Sequence, residues 1–103
     1  MVPSVEFCQQ IIERLVKLIA VLAELDIHHD LHLVIGRVRR EERLRRALEG
    51  GCAFRVLQSA TRLRERGHDA ADEAYRVARE LAPYELLPSP TWEVMCSEME
   101  WPV

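Results

Sequence analysis

At 103 residues, 49% of them hydrophobic and with a formal net charge of −3, the chain has the length of one domain and the composition of a folded globule rather than a disordered tract. The uncharged run Leu18 to Ala23 is far too short to cross a bilayer, and Glu6 and Glu13 interrupt any secretory leader, so a single cytoplasmic domain over 1–103 with no membrane contact is expected. Thirteen arginines against one lysine read as GC-rich bacterial or phage coding. The charge is uneven: residues 1–36 carry −3, residues 37–66 carry +6 and residues 67–103 carry −6. Blocks of that kind can be complementary within one chain or across a dimer, and do not by themselves imply nucleic acid.

Cys8, Ile11, Leu15, Leu18, Leu22 and Leu25 recur at alternating spacings of three and four, which predicts a helix over 1–25 with Ser4 as its N-cap. Val5, Ile12, Val16, Ile19 and Ala23 form a second stripe beside that seam, opposite a polar face of Glu6, Gln10, Glu13, Lys17 and Glu24. The apolar arc is therefore wider than the roughly 100° a surface helix needs. Burial by two bodies follows as the expectation, one from the same chain and one from another, with a homodimer meeting through Ile11, Leu15, Leu18, Ile19 and Leu22.

A second, Arg-rich helix is predicted over 30–49, capped by Asp30 and ended by Gly50 and Gly51. Leu31, Val34, Ile35 and Val38 fit a helical stripe. The same run is β-rich enough for a strand, but no second strand exists for it to pair with. Leu44, Ala47 and Leu48 fall out of phase, which predicts a bend near Gly36 or different neighbours at the two ends. Arg37 with Glu41, Glu41 with Arg45, and Glu42 with Arg46 have the spacing of ion pairs on a solvated face.

A helical hairpin is expected over 52–82. Cys52, Val56, Leu57, Ala60 and Leu63 line its first arm, and Ala70, Ala74, Val77, Ala78 and Leu81 its second. Gly67 ends the first arm, Asp69 caps the second and Pro83 stops it. A short acidic helix is expected over 89–101, with Ser89 and Pro90 as N-cap and first residue and Trp92, Met95, Cys96 and Met99 on one face. The whole reads as an all-α bundle of four to five helices with a long N-terminal and a short C-terminal amphipathic member.

Little here points to catalysis or a cofactor. There is no glycine-rich phosphate loop, no nucleophile elbow and no carboxylate pair beside a plausible pocket, and Cys8, Cys52 and Cys96 lie far apart on apolar faces, so neither enzyme activity nor a disulfide is expected. Asp26, His28, His29, Asp30 and His32 make the densest polar cluster, but no further ligand has matching spacing and no metal is assigned. Ala47, Gly51, Leu57 and Ala60 match a sparse helix-turn-helix pattern, which makes Arg55, Gln58, Ser59 and Arg62 the candidate DNA contacts of an alternative reading. A net acidic chain lacks the usual basic footprint of such a binder. Trp92, Met95, Met99 and Trp101 have the spacing of anchors for a helix-in-groove contact. The expected function is that of a small bacterial or phage regulator, of the antiactivator or inhibitor type, which binds and masks another protein.

Overall fold

A computed structural model describes residues 1–86 and 91–103 and shows five α-helices, with no strand among the described residues. They are α1 (Val5–Glu24), α2 (Leu31–Leu44), α3 (Cys52–Glu65), α4 (Ala70–Leu81) and α5 (Trp92–Met99), with a 3-10 turn at Ala82–Tyr84 after α4. The run at Leu31 is thus helical.

α1 starts as its sequence dictates, the Phe7 amide donating to Ser4 Oγ at 3.1 Å. It packs against α2 and α4 and buries the whole seam from Cys8 to Leu22. Each fully buried Leu or Ile there stabilises the fold by about 1.5–3 kcal/mol. α3 and α4 form the antiparallel hairpin at the centre. The alanines at 53, 60, 71, 74 and 78 are buried between elements, and small side chains let helix backbones approach closely.

α2 stops at Leu44, five residues short of the expected end. Arg45 takes a left-handed conformation (φ 56°), and the Arg46 amide donates to Glu41 O at 3.2 Å, closing the helix without a glycine. The tertiary structure requires this. Leu48 is fully buried and joins the segment after α4, its amide donating to Tyr84 O at 3.0 Å while its carbonyl accepts from the Leu86 amide at 2.8 Å. The phase change at Leu44 thus marks the end of a helix, not a bend. The ion pairs shift accordingly: Glu41 is only 1% exposed and is gripped by Arg46 through Nε at 3.0 Å and Nη2 at 3.2 Å, while Arg37 and Arg40 turn to Glu49.

Gly51, expected to end α2, instead sits at φ 99° as the residue before α3, and it has no side chain with which to cap that helix. Glu85 does so from 32 residues away, accepting from the Ala53 amide at 2.7 Å, with the amides of Gly51 and Cys52 also facing its carboxylate. At α4 the Asp69 side chain makes no cap bond; His68 Nδ1 accepts from the Ala70 amide at 3.0 Å instead.

The expected cap Ser89 and first residue Pro90 lie outside the described residues; α5 begins at Trp92 behind Thr91, whose Oγ1 accepts from the Val94 amide at 3.3 Å. Trp101 ties this end down. Its ring stacks on Tyr75 at 4.9 Å, lies 4.1 Å beneath the Arg64 guanidinium and donates through Nε1 to Thr61 Oγ1 at 2.9 Å. Arg64 also reaches Glu100 O at 2.9 Å, and the Tyr75 hydroxyl donates to Pro102 O at 2.7 Å.

Candidate interaction surface

Four of the five residues expected at a dimer contact, Ile11, Leu15, Leu18 and Leu22, are at most 3% exposed and belong to the chain's own core. That assignment is corrected on simple grounds: a stripe covered by α2 and α4 offers nothing to a second chain unless the fold opens. Ile19 is half-buried and sits on the edge of the second stripe, where Val16 is 51% exposed, Ala20 and Ala23 are exposed, and Val5 and Ile12 are half-buried. The free apolar surface of α1 is therefore the second stripe. It runs along a helix of 20 residues, which at 1.5 Å per residue is about 30 Å long. Ala20 and Ala23 flatten its C-terminal half, and exposed Gln9, Glu13 and Lys17 border it.

The C-terminal anchors are also mostly engaged within the chain. Met95 and Trp101 are buried, while Trp92 and Met99 are half-buried against the core. Beside them a cleft of about 710 Å³ lies between α4, the 3-10 turn and α5, lined by Arg79, Pro83, Glu85, Trp92 and Met95 among others.

Two polar groupings that the sequence keeps apart, the histidine turn and the candidate DNA contacts, meet in one cleft of about 90 Å³ lined by His28, His29, Asp30, Arg55, Gln58, Ser59 and Arg62. At about 30 Å³ per water, this space holds roughly three waters. Arg55 is ion-paired to Asp30, Arg62 donates to the His28 carbonyl, and Ser59 is buried with its hydroxyl 3.4 Å from Arg55 O. Of the four residues of the alternative DNA-contact set, Ser59 is buried, Arg55 and Gln58 are half-buried and Arg62 is exposed, and the face they share abuts the turn between α1 and α2.

The histidines do not assemble as their spacing implies. Helix α2 begins only at Leu31, so His28 is outside it, and the ring nearest His32 is that of His29, with centroids 5.6 Å apart. Among the described residues no group of three or more His, Cys, Asp or Glu is placed to hold a metal ion. His29 caps α2 in place of Asp30: its Nδ1 accepts from the Leu31 amide at 3.1 Å, so the ring proton resides on Nε2. Burial, then His32 and His28, hold its pKa below the ordinary 6.5. Protonation removes the acceptor and places a cation at a helix N-terminus. The unfolded chain takes the proton first, so the stability from this cap is present above pH 6.5 and is lost as pH falls through the lower folded-state value. The protection of amides in the first turn of α2, taken as exchange relative to the unstructured rate at each pH, is expected to fall with acidification over that window in the wild type and to lose this dependence in His29→Asn; equal pH dependence in both would remove His29 from the cap.

The three cysteine thiols are free and buried. Burial pushes all three upward, Cys52 to about 11 with Glu85 adding to the effect, so each stays protonated at neutral pH and none is poised as a nucleophile. The sequence gives no warning of Glu41 or Glu85 as buried carboxylates, since a glutamate on a charged helix or near a proline reads as solvated. No protein-family model, curated protein or solved structure matches the chain.

Proposed function

We propose that this chain is a non-catalytic regulator that binds another protein along the open stripe of α1 and masks that partner's own interface. The observation that carries this reading is the stripe of exposed Val16, Ala20 and Ala23 flanked by half-buried Val5, Ile12 and Ile19, beside a seam that the chain buries from Cys8 to Leu22. Apolar surface removed from water there contributes about 25 cal/mol per Å² before the losses of association are set against it. Glu13 and Lys17 lie where rim charges steer encounter without dominating affinity. DNA binding through α3 is not adopted, because Arg55 is neutralised by Asp30 and Ser59 is buried. Among the described residues no helix is long and apolar enough to cross a membrane.

A photo-crosslinking residue at Val16, used in cells of the native host, is expected to capture one discrete protein, and Ala20→Glu in the same chain is expected to abolish the adduct while leaving melting unchanged. The same residue at exposed Arg76 serves as the control. Identical adducts from both positions, or an adduct that survives Ala20→Glu, would overturn the assignment.

A further inference from the structure

The outward face of α2 consists of His32, Leu33, Gly36, Arg39, Arg43 and Leu44, all exposed, with Leu33 at 44% and Leu44 at 50%. Arg39 and Arg43 are one turn apart and make no ion pair or side-chain hydrogen bond among the described residues. Their neighbours Arg37 and Arg40 turn to Glu49, and Arg46 to Glu41. Gly36 lies mid-helix, where glycine costs about 1 kcal/mol relative to alanine. Among the described residues nothing requires it: a Cβ built there meets none of their atoms within 4 Å outside its own helix backbone. A flat site between exposed leucines and unpaired arginines suits close approach by a second helix.

The same chain carries the complement. On α5, Glu93, Val94, Ser97 and Glu98 are all exposed, a short apolar and small-residue face bordered by acids, and neither glutamate has an ion-pair partner among the described residues. Among the described residues the +6 and −6 blocks make no side-chain ion pair with each other. The described pairs of residues 67–103 go to Arg14 of α1, through Glu73 and Glu80. α2 and α5 both pack on α3, each leaving an outer face uncovered.

We propose that the outer face of α2 receives α5 of a second copy of this chain, with Val94 and Ser97 over Gly36 and Glu93 and Glu98 reaching Arg39 and Arg43. The leucines exclude water at the edge, and the charges set orientation and encounter rate. The exposed leucines favour a protein over a polyphosphate backbone as the occupant. Because the two patches differ, a closed dimer requires each copy to give one helix and receive the other; an unreciprocated contact extends head to tail. This surface is separate from the α1 stripe, so either can fail without the other.

The test is charge exchange read by sedimentation velocity on the full chain. Wild type is expected to self-associate at about 0.05 M salt and to weaken at least about tenfold at about 1 M, where the screening length falls to about 3 Å. R39E/R43E and E93R/E98R are each expected to sediment as monomers, and their equimolar mixture to recover the association. All four positions are exposed, so melting should be unchanged. Should melting fall, R39Q/R43Q and E93Q/E98Q replace them, each expected to weaken association at least about fivefold.

A wild type that stays monomeric at about 100 μM, where any contact with a Kd below about 100 μM would be populated, overturns the proposal. So does a mixture that fails to recover association. Association that survives both charge reversals and high salt assigns the dimer to the α1 stripe instead. Duplex DNA binding abolished by R39E/R43E in a chain that stays monomeric assigns the face to nucleic acid.

Discussion

Leu18→Glu is expected to unfold the chain, whereas Val16→Glu, two residues away on the same helix, leaves it folded. Leu18 is 3% exposed between α1 and its neighbours, and a carboxylate there has no partner; Val16 is 51% exposed and its replacement stays in water. Loss of a buried leucine together with burial of an unpaired charge costs more than about 4 kcal/mol, a large share of the roughly 5–15 kcal/mol that holds a domain of this size together. Val16→Glu should fall within about 0.5 kcal/mol of wild type. Urea denaturation followed by circular dichroism separates the two. A cooperative transition for Leu18→Glu with a midpoint near wild type would mean that the seam is not the core. The contrast also determines how interface variants are read: loss of binding in a seam variant reports unfolding, and only second-stripe variants report on partners.

Glu85→Ala is expected to destabilise by about 1–3 kcal/mol, the range for leaving buried backbone donors without a charged acceptor. The amide of Ala53 loses its 2.7 Å bond, and Gly51 has no side chain with which to replace it. Glu85→Gln, which keeps an acceptor, should recover part of the loss. The pH dependence separates the two roles of the side chain. Burial holds the Glu85 carboxyl above the ordinary 4.5 although three backbone amides pull it downward. The folded state therefore holds the proton more tightly than the unfolded chain. Stability from this linkage is fully present below pH 4.5 and is lost as pH rises through the folded-state value. The wild type should gain on Glu85→Gln as pH falls across that window, opposite in sign to the trend at His29. A wild type and a Glu85→Gln variant with parallel pH profiles would show that the carboxyl is not perturbed.

Much of the fold is legible from local pattern alone. The 3.6-residue period of Cys8 to Leu22, the Ser4 cap, Gly67 at φ 67° and Pro83 after α4 place the helices within a few residues, because each is a matter of backbone chemistry that a short window contains. The width of the apolar arc on α1 is equally visible, and the structure leaves part of it uncovered. Which stripe is uncovered is not visible, since two adjacent stripes of Ile, Leu and Val have the same periodicity and only the placement of α2 and α4 selects between them. Trp92, Met95, Met99 and Trp101 pose the same problem, because an anchor for a partner and an anchor for the core are one residue type at one spacing.

The remaining differences all depend on contacts between residues distant in the chain. The early stop of α2 follows from Leu48 bonding to Tyr84 and Leu86, and the cap of α3 comes from Glu85, 32 residues away. The burial of Glu41 depends on Arg46 turning back past the end of its helix. Helix number, order and amphipathic faces were thus determined by the sequence itself, because periodicity and capping act within a turn or two. Tertiary structure alone decided which apolar stripe closes the core and which carboxylates go inside, because burial is a property of what lies opposite a residue and not of the residue itself.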